Sequence, residues 1–289
     1  MLEIKNLKKR FGDKTALDGV SLSAEPGEVV GFVGANGAGK TTTMRIAMGV
    51  LAADTGEILY KGSVLGAEQR RGFGYMPSER GLYPKMKTGE QIAYFGELHG
   101  MTRAEAKRST AELLEQLDLT DRAGDDVQDL SLGNQQRVQL AVSLVHDPEV
   151  LILDEPFSGL DPIAVDVMGT ALRDRASAGA PVVFSSHQLD LVERLCDSVV
   201  IIGSGKIIAG GDVEELKACE VKQLRIRVDS PEDLTAALPG VVTRDGEDYL
   251  VEGADDQEAL RIAAEAGRVS HFAYDQPTIA EIFREAVKK

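Results

Sequence analysis

The sequence is poor in cysteine and has no long apolar run. Only Cys196 and Cys219 occur among its 289 residues, and neither has a metal-binding Cys-x-x-Cys or Cys/His spacing. Cys196 ends an apolar stretch, so we expect a buried structural thiol. Few cysteines fit a reducing cytoplasm. No run reaches the ~18 consecutive apolar residues of a membrane span, and the charged N-terminus lacks a signal-peptide core. We therefore expect any membrane role to require a partner.

Basic residues are few compared with acidic ones. The chain has 32 lysines and arginines against 47 aspartates and glutamates, which gives a formal net charge of −15. A surface this acidic repels phosphate backbones and anionic lipid headgroups. Direct binding to nucleic acid or to a membrane surface is therefore disfavoured. The length allows a large core and favours two domains.

The segment GANGAGKT, residues 34–41, matches the phosphate-loop pattern G-x-x-x-x-G-K-[ST]. The flanking residues predict a strand at 29–33 and a helix at 42–51. The glycines let backbone N–H groups approach phosphate oxygens, and the helix N-terminus attracts negative charge. We expect Lys40 to bind the β- and γ-phosphates and the Thr41 hydroxyl to ligate Mg²⁺. The predicted nucleotide-binding residues here are Gly34, Ala35, Asn36, Gly37, Ala38, Gly39, Lys40, Thr41 and Thr42.

Two further apolar runs predict central strands with polar residues at their ends. Asp154 and Glu155 directly follow the run at 150–153, and ligand sites lie at the carboxyl ends of strands in open α/β sheets. Asp154 is predicted to hold Mg²⁺, through water, and Glu155 to orient and deprotonate an attacking water. His187 follows the other run, and its position beside the predicted phosphate site favours a catalytic role over a structural one.

The segment LSLGNQQR, residues 130–137, predicts a helix that begins after Ser131 as its N-cap. Asp161 and Pro162 likewise predict an N-cap and a first helical residue. Because it lies shortly before a strand that ends in Asp-Glu-Pro, the segment at 130–137 resembles the signature motif of ABC-type ATPases. The order of parts resembles that family over residues 1 to about 218, and it runs through Phe11, the phosphate loop, the loop at 74–86, the signature, Asp154 and Glu155, Asp161 and His187.

The resemblance implies that two such domains, as a homodimer or heterodimer, enclose two Mg·ATP in a head-to-tail arrangement. Each ATP would lie between the phosphate loop of one domain and the signature helix of the other. Five residues take roles on this basis: Phe11 would stack on adenine, Ser131 and Gly133 would contact the partner's γ-phosphate, Asp161 would link the two sites, and His187 would contact the γ-phosphate and hold the catalytic geometry.

Two positions depart from the family pattern. The signature usually reads Leu-Ser-Gly-Gly-Gln, and here Leu132 and Asn134 replace Gly and Gln. In the loop GYMPSERGLYPKM, residues 74–86, Ser78 stands where the family usually has a glutamine that reaches Mg²⁺ and the attacking water. Serine is two heavy atoms shorter, so Glu79, or a water held by Ser78, is the alternative ligand.

The fold class implied is α/β, a P-loop NTPase core of the ABC ATPase type with an antiparallel β subdomain and a helical subdomain at about 88–145. Capping boxes are predicted at Thr88 and Thr102, and Gly100 is a predicted helix stop. Residues 219–289 form a predicted second domain of α+β class. Its predicted elements are strands at 222–228, 240–244, 247–252 and 269–274 and helices at 231–238, 255–267 and from 278, the ferredoxin-like order.

The sequence therefore predicts an ATP-hydrolysing subunit that drives a separately encoded transmembrane permease from the cytoplasmic face of a bacterial or archaeal cell membrane. The closing run PTIAEIF, residues 277–283, is similar to that of sodium-export and drug-export ATPases, which favours an exporter of ions or drug-like molecules. A soluble ABC ATPase acting on ribosomes or nucleic acid is an alternative, although the acidic charge speaks against nucleic acid. The second alternative is a nucleotide-binding regulator with little ATP turnover.

Overall fold

The computed structural model describes residues 1–79, 81–218, 223–230, 233–275 and 278–279. The described chain divides into two compact units, one of residues Met1–Asp212 and one that begins at Val213. No helix among these residues combines the length and the apolarity needed to cross a bilayer. The first unit contains two sheets and the second contains one, and each unit has its own apolar core.

The first unit contains ten strands and seven helices among its described residues. The strands are β1 (Leu2–Phe11), β2 (Lys14–Ala24), β3 (Val29–Val33), β4 (Thr55–Tyr60), β5 (Ser63–Val64), β6 (Phe73–Met76), β7 (Val150–Leu153), β8 (Val182–Ser186), β9 (Ser198–Gly203) and β10 (Lys206–Asp212). The helices are α1 (Lys40–Ala47), α2 (Ala67–Arg70), α3 (Thr88–Leu98), α4 (Arg103–Gln116), α5 (Leu132–Leu144), α6 (Pro162–Ser177) and α7 (Leu189–Leu195).

A six-stranded sheet in the order β10-β9-β3-β8-β7-β6 forms the centre of this unit. Strands β9, β3, β8, β7 and β6 are parallel, and β10 pairs antiparallel to β9. Every residue of β3, β7 and β8 is buried, because a central parallel strand is covered on both faces and so requires a continuous apolar run. The predicted strands at 29–33 and 150–153 are therefore confirmed.

A smaller antiparallel sheet in the order β2-β1-β4-β5 is the predicted antiparallel β subdomain. Its strands alternate buried and exposed residues along β1 and β2, the pattern of a sheet with one face on the core. The buried face, with Leu2, Ile4 and Leu17, belongs to the same apolar cluster as Phe32 of β3. The two sheets therefore share one core.

Helices α3, α4 and α5 form the helical subdomain, and their ends test the predicted caps. Ser131 caps α5 and Thr102 caps α4 through a full capping box with Glu105, as predicted. The prediction for Thr88 is wrong. Helix α3 already begins at Thr88, so Lys87 and not Thr88 occupies the N-cap, and Lys87 makes no side-chain cap to the described residues. The backbone N–H and the hydroxyl of Thr88 both donate to Asp125 O, at 3.0 Å and 3.1 Å.

The helix after the phosphate loop is shorter than predicted. Helix α1 ends at Ala47, and Gly49 has a φ of +73°, a left-handed conformation that stops a helix. The predicted helix at 42–51 therefore extends too far, and Val50 lies beyond the helix and is exposed.

The second unit comprises α8 (Val213–Ala218), β11 (Gln223–Asp229), β12 (Val241–Asp245), β13 (Asp248–Glu252), α9 (Asp256–Ala266) and β14 (Arg268–Asp275). Its sheet is antiparallel in the order β12-β13-β11-β14, the strand order of a ferredoxin-like fold. Helix α9 covers one face, where Ala259 and Ala263 pack in a cluster with Ile226 and Tyr249.

One predicted helix of the second unit does not form in its described part. Residues 235–237 make a turn, and the backbone N–H groups of Ala237 and Leu238 both donate to Leu234 O. A segment this short between two prolines gains too few helical hydrogen bonds to offset the cost of nucleation. Residues 231–232 and most of the predicted final helix from 278 lie outside the described residues, as does most of the closing run at 277–283.

Candidate nucleotide site

The candidate site lies at the edge of the central sheet where the parallel strands β3, β6, β7 and β8 have their carboxyl ends. The phosphate loop follows β3, Ser78 lies just beyond β6, Asp154 and Glu155 follow β7, and His187 follows β8. A cleft of about 400 Å³ opens there. Its lining residues are Phe11, Lys14, Ala16, Asn36, Gly37, Gly39, Lys40, Thr41, Thr42, Ser78 and Glu155.

The phosphate loop has the backbone that its glycines allow. Gly37 and Gly39 have φ values of +80° and +118°, a region that side chains with a Cβ rarely adopt. A Cβ at Gly34 would collide with the carbonyl oxygen of Ile202, whereas the space around Gly37 is open. The loop is thus closely packed at its base and free at its tip, which suits a cradle for phosphate groups.

Lys40 is buried at the first position of α1 with its ammonium inside the cleft. Its Nζ donates to Gly34 O at 2.6 Å, and it lies 3.2 Å from Glu155 Oε1 in an ion pair without hydrogen-bond geometry. A buried ammonium is costly unless it is paired. The predicted phosphate ligand and the predicted general base therefore meet in this structure.

A chain of hydrogen bonds joins the polar residues at the ends of β7 and β8. The Ser185 hydroxyl donates to Asp154 Oδ1 at 2.7 Å and accepts from the backbone N–H of Glu155 at 2.9 Å. His187 Nδ1 donates to Glu155 Oε2 at 2.8 Å. These hydrogen bonds fix the carboxylates of Asp154 and Glu155 relative to each other.

Glu155 also has an unusual backbone. Its φ is +53°, a strained conformation for a residue with a side chain, and such strain is held in place only by its surroundings. Gln136 of α5 contributes by donating to Pro156 O at 2.9 Å. The position of the Glu155 carboxylate is thus determined by β8 and α5 together.

The residues present fit Mg·ATP. Asp154 is fully buried, and its second carboxylate oxygen, Oδ2, has no hydrogen-bond partner among the described residues, so a cation would satisfy an otherwise unpaired buried oxygen. Among the described residues, no group of three or more His, Cys, Asp or Glu could hold a metal ion. Mg²⁺ is commonly bound by one or two carboxylates together with substrate phosphates. Asp154 and the Thr41 hydroxyl are the protein ligands that this arrangement offers.

Ser78 and Glu79, the two candidate Mg²⁺ ligands in the loop at 74–86, have different surroundings in the structure. Gly74, Tyr75 and Met76 belong to edge strand β6, and Ser78 lines the cleft. Glu79 instead forms an ion pair with Arg45 of α1, at 2.9 Å between Oε1 and Nη2.

Phe11 lies at the rim of the cleft, half exposed, with Lys9 Nζ 5.6 Å from the centre of its ring. Ser131, Gly133 and Asp161 do not line this cleft. Ser131 accepts from Asn134 N at 3.3 Å and Asp161 accepts from Ala164 N at 2.8 Å, so both cap helices. Their predicted roles toward ATP require a second subunit and stay predictions.

Several residues near the cleft were not predicted. Lys14 and Ala16 line the cleft beside Phe11, and the turn between β1 and β2 brings them there. Ser185 directly follows the apolar residues at 182–184, and no motif in the sequence assigns a partner to its hydroxyl. Gln136 and Gln139 share the signature helix, and their polar side chains on a buried face were the available signal.

Comparison with known proteins shows which proteins this chain is similar to. A family model described as ABC transporter matches residues 17–158. The ABC transporter ATP-binding protein YhaQ of Bacillus subtilis strain 168 is 37% identical over 294 residues, which cover 99% of this chain and 98% of that protein. Nod factor export ATP-binding protein I of Paraburkholderia xenovorans strain LB400 is 37% identical over 223 residues, 76% of this chain and 73% of that protein. A solved structure of an ATP-binding subunit of an ABC transporter superposes with a TM-score of 0.69 at 32% identity, and the match covers 75% of this chain and 92% of that one.

Proposed function

The chain belongs to the ABC transporter ATP-binding proteins and hydrolyses ATP as the subunit of a transporter, and from that premise we propose how its own residues do so. The observation that carries the proposal is the hydrogen-bonded chain through Asp154, Ser185, Glu155 and His187, which meets Lys40 at the phosphate loop.

Binding is assigned to the loop at 34–42 and to Phe11. Backbone N–H groups of the loop and the N-terminus of α1 receive phosphate oxygens. Lys40 exchanges its contacts with Gly34 and Glu155 for phosphate. Thr41 and Asp154 would hold the metal, and Phe11 would provide a face for the adenine ring.

Hydrolysis is assigned to Glu155 and His187. When bound, Mg·ATP supplies the phosphoanhydride bond that is broken and a metal charge that offsets the charge of the phosphates. Glu155 accepts a proton from the attacking water, and the hydrogen bond from His187 orients its carboxylate. Before ATP binds, the Glu155 carboxylate is paired with Lys40. When Lys40 moves to the phosphate groups, this ion pair breaks and Glu155 becomes free to act as the base.

We further propose a dimer with two Mg·ATP, either of this chain or with a related subunit, attached to a separately encoded permease at the cytoplasmic face of the membrane. The dimer is carried over from the family resemblance, in which Ser131, Gly133 and Asp161 would contact the second subunit. The name of the Nod factor export protein supports export as the direction, and the run at 277–283 favours ions or drug-like molecules as cargo.

The assignment of Glu155 is tested by Glu155→Gln in the complex with the membrane partner. The amide cannot accept the proton, so turnover should fall roughly 10²–10⁴-fold, the range for loss of a general base. Binding of a fluorescent ATP analogue and ATP-dependent dimerisation should persist. Glu149→Gln is the matched control, because Glu149 precedes the same strand at its opposite end, where it binds Lys61 and Tyr60.

Near-normal hydrolysis by Glu155→Gln would contradict this assignment. The transporter role is tested separately, by affinity purification of the tagged chain from detergent-solubilised membranes. We expect a protein with several membrane spans to co-purify. If none does, the proposed partner is wrong even when the ATPase assignment stands.

A further inference from the structure

The short side chain of Ser78 makes the position of its backbone important. Ser78 lines the cleft, at the place where the resemblance leads us to expect a longer glutamine. A hydroxyl on a single carbon cannot compensate for movement of the loop as a long flexible side chain can. Whatever holds residues 77–79 therefore determines whether Ser78 reaches the site.

Gln139 of α5 holds both neighbours of Ser78. Its Nε2 donates to Pro77 O at 2.7 Å and to Glu79 O at 3.2 Å. An amide nitrogen carries two hydrogens, so one side chain binds the two carbonyls that flank Ser78. The contacts join residues about 60 positions apart in the chain.

The burial of Gln139 makes this contact specific. Gln139 is only 5% exposed. An amide in such surroundings is unfavourable unless it is hydrogen-bonded, and an apolar residue would fill the same space. Among the described residues, the amide nitrogen of Gln139 binds these two carbonyls, of Pro77 and Glu79.

On the other side of the loop, the ion pair of Glu79 with Arg45 connects it to α1. Glu79 is 83% exposed in its side chain, and an exposed ion pair contributes little. The buried bonds of Gln139 are therefore the stronger restraint. The backbone around Ser78 is therefore attached to both α1 and α5, and the attachment to α5 is the stronger one.

We propose that Gln139 is a positioning residue for ATP hydrolysis, which holds the backbone at 77–79 so that Ser78 faces the Mg²⁺ site. The inference rests on the proposed function, in that it takes the cleft to be the Mg·ATP site. Gln139 stands eight residues after Ser131 on one rigid helix, a distance of about 12 Å at 1.5 Å per residue. Through it, movement of the signature helix moves the Ser78 loop.

The test uses Gln139→Met, which keeps the length of the side chain and removes both donors. Gln116→Met is the matched control, because Gln116 binds the exposed Asp174 on another helix. The chain has no tryptophan, so Tyr83→Trp, placed in both backgrounds, gives a single fluorescent reporter in the same loop. ATPase activity is measured with the membrane partner across a Mg²⁺ titration.

In Gln139→Met we expect turnover to fall by roughly 10–100-fold, as for a small misplacement of a positioned group. The Mg²⁺ concentration for half-maximal activity should rise, and the fluorescence change on adding Mg²⁺ to ATP-bound protein should shrink. Affinity for a fluorescent ATP analogue without Mg²⁺ should stay within a factor of about two of wild type, less than ~0.5 kcal/mol. Adding Ser78→Gln should restore the Mg²⁺ dependence, because the longer side chain reaches without the restraint.

Unchanged Mg²⁺ dependence and fluorescence in Gln139→Met would overturn the proposal. Loss of activity that Ser78→Gln does not restore, together with a lower unfolding temperature, would show a purely structural role and also overturn it. Failure of the underlying function is distinguishable, because wild type and Gln116→Met would then lack the Mg·ATP response as well.

Discussion

At the scale of single residues, Ser185 decides how the two carboxylates of the site are placed. Its hydroxyl is fully buried and serves Asp154 and the backbone of Glu155 at once. We expect Ser185→Ala to lower the free energy of unfolding by about 1–3 kcal/mol, because two buried polar groups lose their partner. Activity should fall roughly 10–100-fold, as for other residues that orient metal ligands. Mg²⁺ titration of ATPase activity and thermal unfolding measure the two effects.

Ser143→Ala is the control for Ser185→Ala. Ser143 is equally buried, and its hydroxyl donates to Leu140 O within its own helix. We expect a small loss of stability there and no change in the Mg²⁺ dependence. Equal Mg²⁺ dependence in wild type and Ser185→Ala would show that Ser185 has no part in orienting Asp154.

His146 is a residue whose charge makes stability depend on pH. Burial, followed by the neighbouring His99 ring stacked 3.6 Å away, lowers the pKa of His146 to about 4. The ordinary pKa of histidine is about 6.5, so between these values the unfolded chain binds a proton that the folded chain does not. The contribution to stability is present above about pH 6.5 and is lost as the pH falls toward about 4, by ~3 kcal/mol at most.

His146→Gln should flatten this dependence while keeping a donor toward Phe73 O, which the ring contacts at 3.2 Å. Urea unfolding near neutral pH and near pH 5 gives the difference in free energy of unfolding. His271→Gln, at an exposed histidine of β14, should behave as wild type. If the free energy of unfolding changes with pH in His146→Gln as it does in wild type, other groups cause the pH dependence.

At the scale of elements, Asp161 combines a local role with a proposed one. As N-cap of α6 it accepts from Ala164 N, and Asp161→Ala should cost about 1 kcal/mol. Asp161→Ser keeps an oxygen that can cap the helix but removes the carboxylate. If Asp161 links the two ATP sites, Asp161→Ser should retain stability and lose turnover. Thermal unfolding and ATPase assays of both variants separate the two roles.

Asp255 of the second unit is the control residue for Asp161, because it caps α9 in the same way, by accepting from Glu258 N at 3.0 Å. Asp255→Ala should lower stability by a similar amount and leave turnover as in wild type. If Asp161→Ser hydrolyses ATP normally, Asp161 is a helix cap only.

The elements that could be predicted from the sequence are those with a strong local cause. Strands β3 and β7 are continuous apolar runs, and the phosphate loop needs its glycines. Helix α1 ends early because Gly49 turns left-handed, and the capping box at Thr88 fails because α3 begins at Thr88 itself, where its N–H and hydroxyl both bind Asp125 O. Such outcomes depend on residues that only the fold brings together.

In the site, too, some residues could be predicted from local sequence and others depend on the fold. Glu155 could be predicted because it follows a strand in a known order of motifs. The link from Gln139 to the Ser78 loop could not, since its partners lie about 60 residues away and carbonyl acceptors leave no trace in the amino-acid sequence.

At the scale of the whole molecule, net charge affects how two copies associate. Each chain carries −15, so two copies bring together −30 before ATP adds its own charge. Repulsion between exposed charges is screened beyond the Debye length, which is about 10 Å at 0.1 M salt. We expect the ATP-dependent dimer of Glu155→Gln to tighten as KCl rises from ~0.05 to ~0.3 M. Analytical ultracentrifugation at fixed ATP and Mg²⁺ gives the dissociation constant.

Binding of a fluorescent ATP analogue to the monomer at the same salt concentrations is the control, because it separates weaker nucleotide binding from a change in dimerisation. Binding to nucleic acid would follow the opposite trend, since release of counterions makes that affinity fall steeply with salt. A dimer that weakens with salt would mean that complementary charges at the interface outweigh the net repulsion. Tightening would show that long-range repulsion opposes the dimer, so that bound ATP and the permease must supply the closing free energy.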